Sequence, residues 1–230
     1  MAKTIIVAGY GPGISHAVAE KFGAAGFSIA LVARNAGKLE KGVQALTAKG
    51  FTARAFPADV GDISAIRNVV QQARAALGPI TVLHWNAASP VAGDLLSASP
   101  EELETVFGVG VIGLVAAIQE SLPDLRQKPE AAVLVTNGGF GLFADAVDAI
   151  AVQSKSMGLS VANAAKHKAS RVLAKRLEIE GVYLGEVMVL GTVKGTAWDR
   201  GQATLEASTI AERFWQLYQS RKERFVQVGG

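Results

Sequence analysis

A run of aliphatic and β-branched residues, Thr4 to Ala8 (TIIVA), closes on the glycine turn Gly9-Tyr10-Gly11-Pro12-Gly13-Ile14-Ser15, and a helical pattern from Ser15 to Phe22 follows at once. No other feature constrains the chain as strongly. An unbroken apolar run reads as a strand covered on both faces, as in parallel sheets. Glycines after it let the backbone approach a pyrophosphate, and the next helix offers free N–H groups and the positive end of its dipole. The first expectation is therefore a strand–turn–helix unit that holds a dinucleotide.

The alternation continues. Phe27 to Ala33 reads as a second strand, Ala36 to Lys49 as a helix stopped by Gly50, and Phe51 to Phe56 as a third strand; Asp62 to Leu77 is a helix and Ile80 to His84 a fourth strand. Ser99-Pro100-Glu101-Glu102 carries an N-cap, a proline at the first helical position and a capping-box glutamate, which predicts a long helix to about Glu120. Ala131 to Thr136 is a fifth strand, about Leu159 to Glu180 a long helix, and Gly185 to Leu190 a sixth strand. Ile210 to Arg221 is amphipathic, with Phe214, Leu217 and Tyr218 on one face, and Phe225 to Val228 supplies a seventh strand. This pattern implies an α/β chain with a doubly wound parallel sheet of about seven strands, helices on both faces, and ligands at the carboxyl ends of the strands.

Composition removes other classes. The 23 Lys and Arg and 20 Asp and Glu are interspersed, with a net charge of +3, so there is no basic footprint for nucleic acid. No cysteine is present, which excludes disulfides and thiolate metal sites, and three scattered histidines make no metal site. The N-terminal apolar stretch is too short for a signal sequence, and no window of 18 uncharged apolar residues follows, so a cytoplasmic protein without a membrane span is expected.

The segment Ala8-Gly9-x-x-x-Gly13-Ile14-Ser15 resembles the T-G-x-x-x-G-I-G loop of the short-chain dehydrogenase/reductase family, with Ser15 at the last glycine. Ala58-Asp59-Val60 is similar to that family's D-V segment and Asn86-Ala87-Ala88 to its N-A-G. Ile210 to Leu217 is similar to the tail of one of its branches. The resemblance implies a single Rossmann domain over residues 1–230 that binds NAD(P). Its cofactor contacts would be Gly9, Tyr10, Gly11, Gly13, Ile14, Ser15, Asp59, Val60, Asn86, Ala87 and Ala88, joined by Gly191, Thr192 and Val193 after the sixth strand. It implies hydride transfer to or from a small carbonyl or alcohol. It also implies a homodimer or homotetramer packed through the long helix, where Gly108, Gly110 and Gly113 either permit close approach of a second copy or accommodate the sheet. The second strand ends in Ala33-Arg34, with Lys38 a turn beyond and no carboxylate to hold ribose hydroxyls. Arg34 can fork onto a 2′-phosphate, so NADP(H) is expected before NAD(H).

The family's catalytic residues are a Ser after the fifth strand, a Y-x-x-x-K pair on the next helix and an Asn in the long helix. The tyrosines here, Tyr10, Tyr183 and Tyr218, have no Lys four residues on. Matching Arg171, Leu173, Ala174 and Leu177 to the family's R-x-L-A-x-x-L puts Asn163 and His167 at the pair, which makes them the candidate catalytic residues. Counting thirteen residues from Gly138, at the Ser position, reaches Ala151 and Lys155 instead. Gly110 falls on the Asn. Lys166, His167 and Lys168 together read as a solvated basic face. Ser154, Ser156 and Ser160 lack a placed base, and Trp198, Phe140 and Phe143 are candidates for an apolar pocket lining. The expected function is an NADP(H)-binding oxidoreductase of this family with degenerate catalytic residues. The alternative is a non-catalytic NADP(H) sensor or interaction protein whose Thr192 to Ala207 loop orders on occupancy.

Overall fold

The computed structural model describes residues 3–230. The chain runs β1 (Lys3–Ala8), α1 (Ile14–Ala24), β2 (Phe27–Ala33), α2 (Ala36–Ala48), β3 (Ala53–Pro57), α3 (Ile63–Leu77), β4 (Ile80–Trp85), α4 (Pro100–Phe107), α5 (Gly113–Leu125), β5 (Ala132–Gly138), α6 (Asp145–Gln153), α7 (Met157–Glu178), β6 (Tyr183–Leu190), α8 (Ala207–Ser220) and β7 (Phe225–Gly229). The strands form one sheet in the order β3-β2-β1-β4-β5-β6-β7, with every neighbouring pair parallel. The winding reverses between β1 and β4, as expected for a doubly wound Rossmann sheet.

Alternation along the strands divides the core. Ile5 and Val7 of β1 face α1, α2 and α8, packing with Phe22, Leu39 and Phe214. Ile6 and Ala8 face α3, α5 and α7, with Ile66, Leu114 and Leu177. The capping box forms as the sequence predicts, Ser99 accepting from the Glu102 N–H and Glu102 from the Ser99 N–H.

Between α4 and α5 the helix continues through a π turn, Gly108–Ile112. Its glycines face the protein's own interior, so they accommodate the fold rather than a second copy. A Cβ on Gly113 would lie 2.0 Å from the Val60 carbonyl oxygen, and one on Gly110 would lie 3.5 Å from the Ala162 Cβ. The stretch Pro100–Leu125 is long and apolar enough to cross a membrane by length and composition, and half of its most apolar 18-residue window is buried inside the protein.

One helix has no counterpart in the sequence expectations. α6 occupies the region after β5, so the residue thirteen positions beyond Gly138, Ala151, lies in a separate helix, and Lys155 sits exposed in the turn that follows, at φ +49°. That register does not place a pair on α7, whereas the register giving Asn163 and His167 does.

His84 on β4 is fully buried against Phe214, 4.9 Å between ring centres, with Nε2 3.1 Å from the Thr136 hydroxyl and Nδ1 without a partner among the described residues. Burial lowers its pKa from the ordinary 6.5 to about 3. The unfolded chain therefore takes up this proton first. Stability is complete above about 6.5 and falls as pH drops through the window down to about 3, by at most about 1.4 kcal/mol per pH unit. Urea unfolding between pH 7 and pH 4.5 should show this slope, and His84→Leu should flatten it; an unchanged slope in the variant would assign the acid sensitivity to other groups.

Candidate functional site

The turn after β1 is held from three sides. The Gly9 and Tyr10 N–H groups donate to the Val32 carbonyl at 3.0 and 2.9 Å, tying the turn to β2. Gly9 has φ +79°, and a Cβ there would lie 2.5 Å from the Ala87 nitrogen, so glycine is required both by conformation and by contact with the segment after β4. On that segment the Asn86 N–H donates to the Ala8 carbonyl and the Asn86 side-chain amide to the Gly9 carbonyl. Ser15, where the resembling motif has glycine, closes the turn: its hydroxyl accepts from the Gly11 N–H at 2.9 Å and donates to the Gly11 carbonyl. Among the described residues the Ile14 and Ser15 N–H groups at the start of α1 keep no protein partner. They are the orphan donors of a helix N-terminus, at a turn where Gly11 leaves open space.

Beside this turn lies a cleft of about 320 Å³ lined by Tyr10, Gly11, Pro12, His16, Lys38, Lys41, Gly42 and Ala45. Gly42 lets the Tyr10 ring lie directly on α2, since a Cβ there would meet the phenol oxygen. His16 Nδ1 sits 2.8 Å from the Tyr10 hydroxyl and its Nε2 3.0 Å from Glu20. Arg34, one residue beyond β2, is exposed, as are Lys38 and Lys41. Beyond β3, Asp59 spends one carboxylate oxygen on the Gly61 N–H, and buried Val60 packs on Gly113. Ala88 is exposed next to the buried Ala87.

Across the switch point, the residues expected for catalysis separate. Asn163 is buried at the carboxyl edge of the sheet, its amide nitrogen 2.9 Å from where a Gly138 Cβ would stand. A side chain at 138 and this amide compete for one space, so the missing hydroxyl and the amide belong together. His167, one turn along α7, points its Nδ1 to Glu186 at 2.7 Å and stacks edge-on against Phe225. Glu186 is fully buried and lies four residues short of the end of β6, and its carboxylate reaches Asn137, the residue before Gly138.

Three residues absent from the sequence-derived site complete this network. Asn137 donates through its amide to Glu186 at 2.6 Å and to the Asn163 carbonyl at 3.0 Å, and its oxygen accepts from the Gly138 N–H. Lys166, expected on a solvated face, is instead 2% exposed. Burial lowers its pKa to about 8, with the Glu186 charge opposing. The signal was present at Glu186: a lone acid inside an apolar strand covered on both faces needs a buried partner. The serines find local duties, Ser160 donating to the Phe140 carbonyl and Ser154 to the Ile150 carbonyl and the Ser156 hydroxyl. Tyr183 and Tyr218 lie away from this edge, the former donating to the Glu223 carbonyl and the latter packed on Phe22.

The loop after β6 folds over the turn. Gly191, at φ +141°, opens it; Val193 bridges Leu205, and the Asp199 carboxylate accepts from the N–H groups of Gly195, Gly201 and Ala203. Those donors hold the Asp199 pKa below its usual value. The Thr196 methyl lies 2.7 Å from where a Gly13 Cβ would be, while its hydroxyl donates to the Val193 carbonyl. Thr192 offers its carbonyl to Leu205. Trp198 and Phe143 stand largely exposed on the loops at this edge, and Phe140 is half-buried.

The sequence profile of the short chain dehydrogenase family matches residues 3–187. The chain is 39% identical over 115 residues to 2,3-dihydro-2,3-dihydroxybenzoate dehydrogenase from Bacillus subtilis (strain 168), a match covering 50% of this chain and 44% of that protein. It therefore spans less than half the length of that relative. Among solved structures, L-sorbose reductase from Gluconobacter frateurii, complexed with NADPH and L-sorbose, superposes with a TM-score of 0.87 at 19% identity, covering 100% of this chain and 95% of the other. The NADPH-bound short chain oxidoreductase from Pseudomonas aeruginosa PAO1, described as containing an atypical catalytic center, does so with a TM-score of 0.84 at 19% identity, over 98% and 94%. At these identities the structural likeness is one of fold.

Proposed function

We propose, from the premise that this chain belongs to the short chain dehydrogenase family, that residues 1–230 act as one nucleotide-binding domain taking NADP(H) before NAD(H). Its reaction is hydride transfer to or from a small carbonyl or alcohol at the carboxyl edge of β4 to β6. The observation that carries this reading is the turn from Gly9 to Ser15: two unpaired N–H groups at a helix N-terminus, placed at the point where the sheet's winding reverses. The diphosphate would lie on that turn, the adenosine between Asp59, Val60 and Asn86 to Ala88, and the nicotinamide end beneath Gly191, Thr192 and Val193. The cofactor supplies the hydride chemistry. Arg34 would grip a 2′-phosphate, with Lys38 and Lys41 adding charge beside the neighbouring cleft.

Two catalytic assignments belong to this reading. Asn163, at the rim beside Gly138, faces the reacting atoms; His167 positions Glu186 from below. The Pseudomonas oxidoreductase is described by its atypical catalytic center; in this chain α7 carries no tyrosine. The exposed Phe143 and Trp198 favour substrates with an apolar body. The sensor reading draws on the loop held over Gly13 by Thr196; it predicts the same binding, protection of that loop from protease by NADPH, and no turnover of any carbonyl.

Fluorescence titration with NADPH and NADH tests the reading. Arg34→Asp should weaken NADPH by about ten- to a hundredfold and leave NADH nearly unchanged, because charged hydrogen bonds contribute about 1.5–3 kcal/mol. Equal loss for both cofactors would remove the phosphate role from Arg34. Absence of binding at millimolar concentration would remove the whole reading.

A further inference from the structure

We infer that the Lys166 ammonium is the proton donor at the carboxyl edge of the sheet beside Asn163 and Gly138, passing its proton to the substrate oxygen in carbonyl reduction and receiving one in the reverse direction. The inference rests on the oxidoreductase reading above and goes beyond it by naming the acid.

The argument begins with an imbalance. Lys166 is 2% exposed, and among the described residues its ammonium has no hydrogen bond and no ion pair, yet it is not one of the side-chain atoms that the protein encloses without a partner, so the nitrogen itself borders open space. A buried cation without a bonded partner costs several kcal/mol, and a structural lysine would be expected to have one. Glu186 is the charge that acts on it, and its own oxygens are already engaged by His167 and Asn137. A ligand oxygen would complete the coordination that the protein leaves open.

Position gives the direction of that oxygen. The N-terminal turns of α7 line the carboxyl edge of the sheet, with Ser160 bonded to the Phe140 carbonyl and Asn163 packed on Gly138 and Gly141. Side chains on a helix lean toward its N-terminus. Lys166 is one turn below Asn163, and its four-carbon stem spans about that 5.4 Å rise. Around this level the floor is clear of competing side chains: Gly138 and Gly110 have none, and Gly110 approaches only Ala162.

The electrostatics suit proton exchange near neutrality. Burial brings the ammonium to about 8 while Glu186 keeps it from falling further, close to the range in which a general acid works well. The neighbouring elements add little charge. β6 contributes Glu186, β5 the uncharged Asn137, and the π turn only Gly108 to Ile112; α7 itself adds His167, bound to Glu186, and the exposed Lys168; α4 and α6 carry Glu101, Glu102, Glu104, Asp145 and Asp148 in solvent or at its edge. In the reduction, one N–H bond of the ammonium breaks and an O–H bond forms as the carbonyl carbon gains the hydride of the reduced dinucleotide. The neutral amine then recovers its proton from water.

The test uses the full chain, wild type, Lys166→Ala and Lys166→Met. NADPH should bind all three within about threefold, and circular dichroism should show all three folded. Turnover of an aldehyde panel should fall by about a hundred- to ten-thousandfold in both variants. Added ethylamine should restore part of the activity of Lys166→Ala, and more basic and less basic amines should differ, which a purely structural lysine would not produce. Competitive acetylation read by mass spectrometry gives a second readout: Lys166 should titrate near 8 and be shielded by NADPH together with hexanoate, an anionic mimic of the bound oxygen. Unchanged turnover in the variants, absence of amine rescue, or labelling indifferent to ligand would overturn the assignment while leaving the oxidoreductase reading in place. Wild type that binds no NADPH overturns both; wild type that binds NADPH and turns over no carbonyl overturns the proton role and favours the sensor.

Discussion

Gly113→Ala is expected to cost the protein about 3 kcal/mol or more, enough to leave a large unfolded fraction in a domain of ordinary stability. The added methyl would stand 2.0 Å from the Val60 carbonyl oxygen, 3.1 Å from the Gly108 carbonyl oxygen and 3.1 Å from the Trp85 ring. None of these can step aside: two are backbone, and Trp85 is fully buried with its indole N–H donating to the Val109 carbonyl. Three residues earlier the outcome reverses. Gly110→Ala meets only the Ala162 methyl, at an ordinary 3.5 Å, and alanine gains up to about 1 kcal/mol over glycine within a helix. Urea unfolding of the two variants side by side checks this; equal losses would show that helix geometry rather than contact with Val60 sets the cost.

The second large effect is at Glu186. Glu186→Leu should destabilise by about 3–5 kcal/mol, because it leaves the Lys166 ammonium buried without its opposing charge and removes the acceptor from both His167 and Asn137. Replacing both charges by apolar groups of similar size should recover much of the loss, as opposite charges buried near each other are worth little against good packing. The double variant Lys166→Met/Glu186→Leu is therefore expected to be at least about 1 kcal/mol more stable than the sum of the single changes predicts. Additive losses would mean that the two groups do not share one electrostatic site.

The sheet was legible because its strands are apolar runs closed by glycines, and β2 falls on the residues expected, Phe27–Ala33. Two things were not. α6 follows β5 through a turn at Gly139–Gly141 and is exposed along most of its length, so it lacks the apolar stripe that marks a packed helix. Lys166 sits in Lys166-His167-Lys168, a run that looks like a wet surface; only the fold reveals that its first member faces the sheet, its second Glu186 and its third solvent. The nucleotide turn was readable because backbone requirements write themselves as glycine. Proton-moving groups carry no such constraint on spacing once their partners come from different strands.

The π turn at Gly108–Ile112 has a consequence for how this chain can change length. A helix from Pro100 to Leu125 that holds one such turn carries a residue more than α-helical phase requires. Losing one residue within that turn would draw the two halves into a regular helix with Val106 and Leu114 still turned inward, whereas a loss inside α5 would rotate every later side chain by about 100° and expose the face that covers β4. The interior glycines of this turn thus mark the point in the helix where a deletion is structurally cheapest, and where lineages differing by one codon would still share a core.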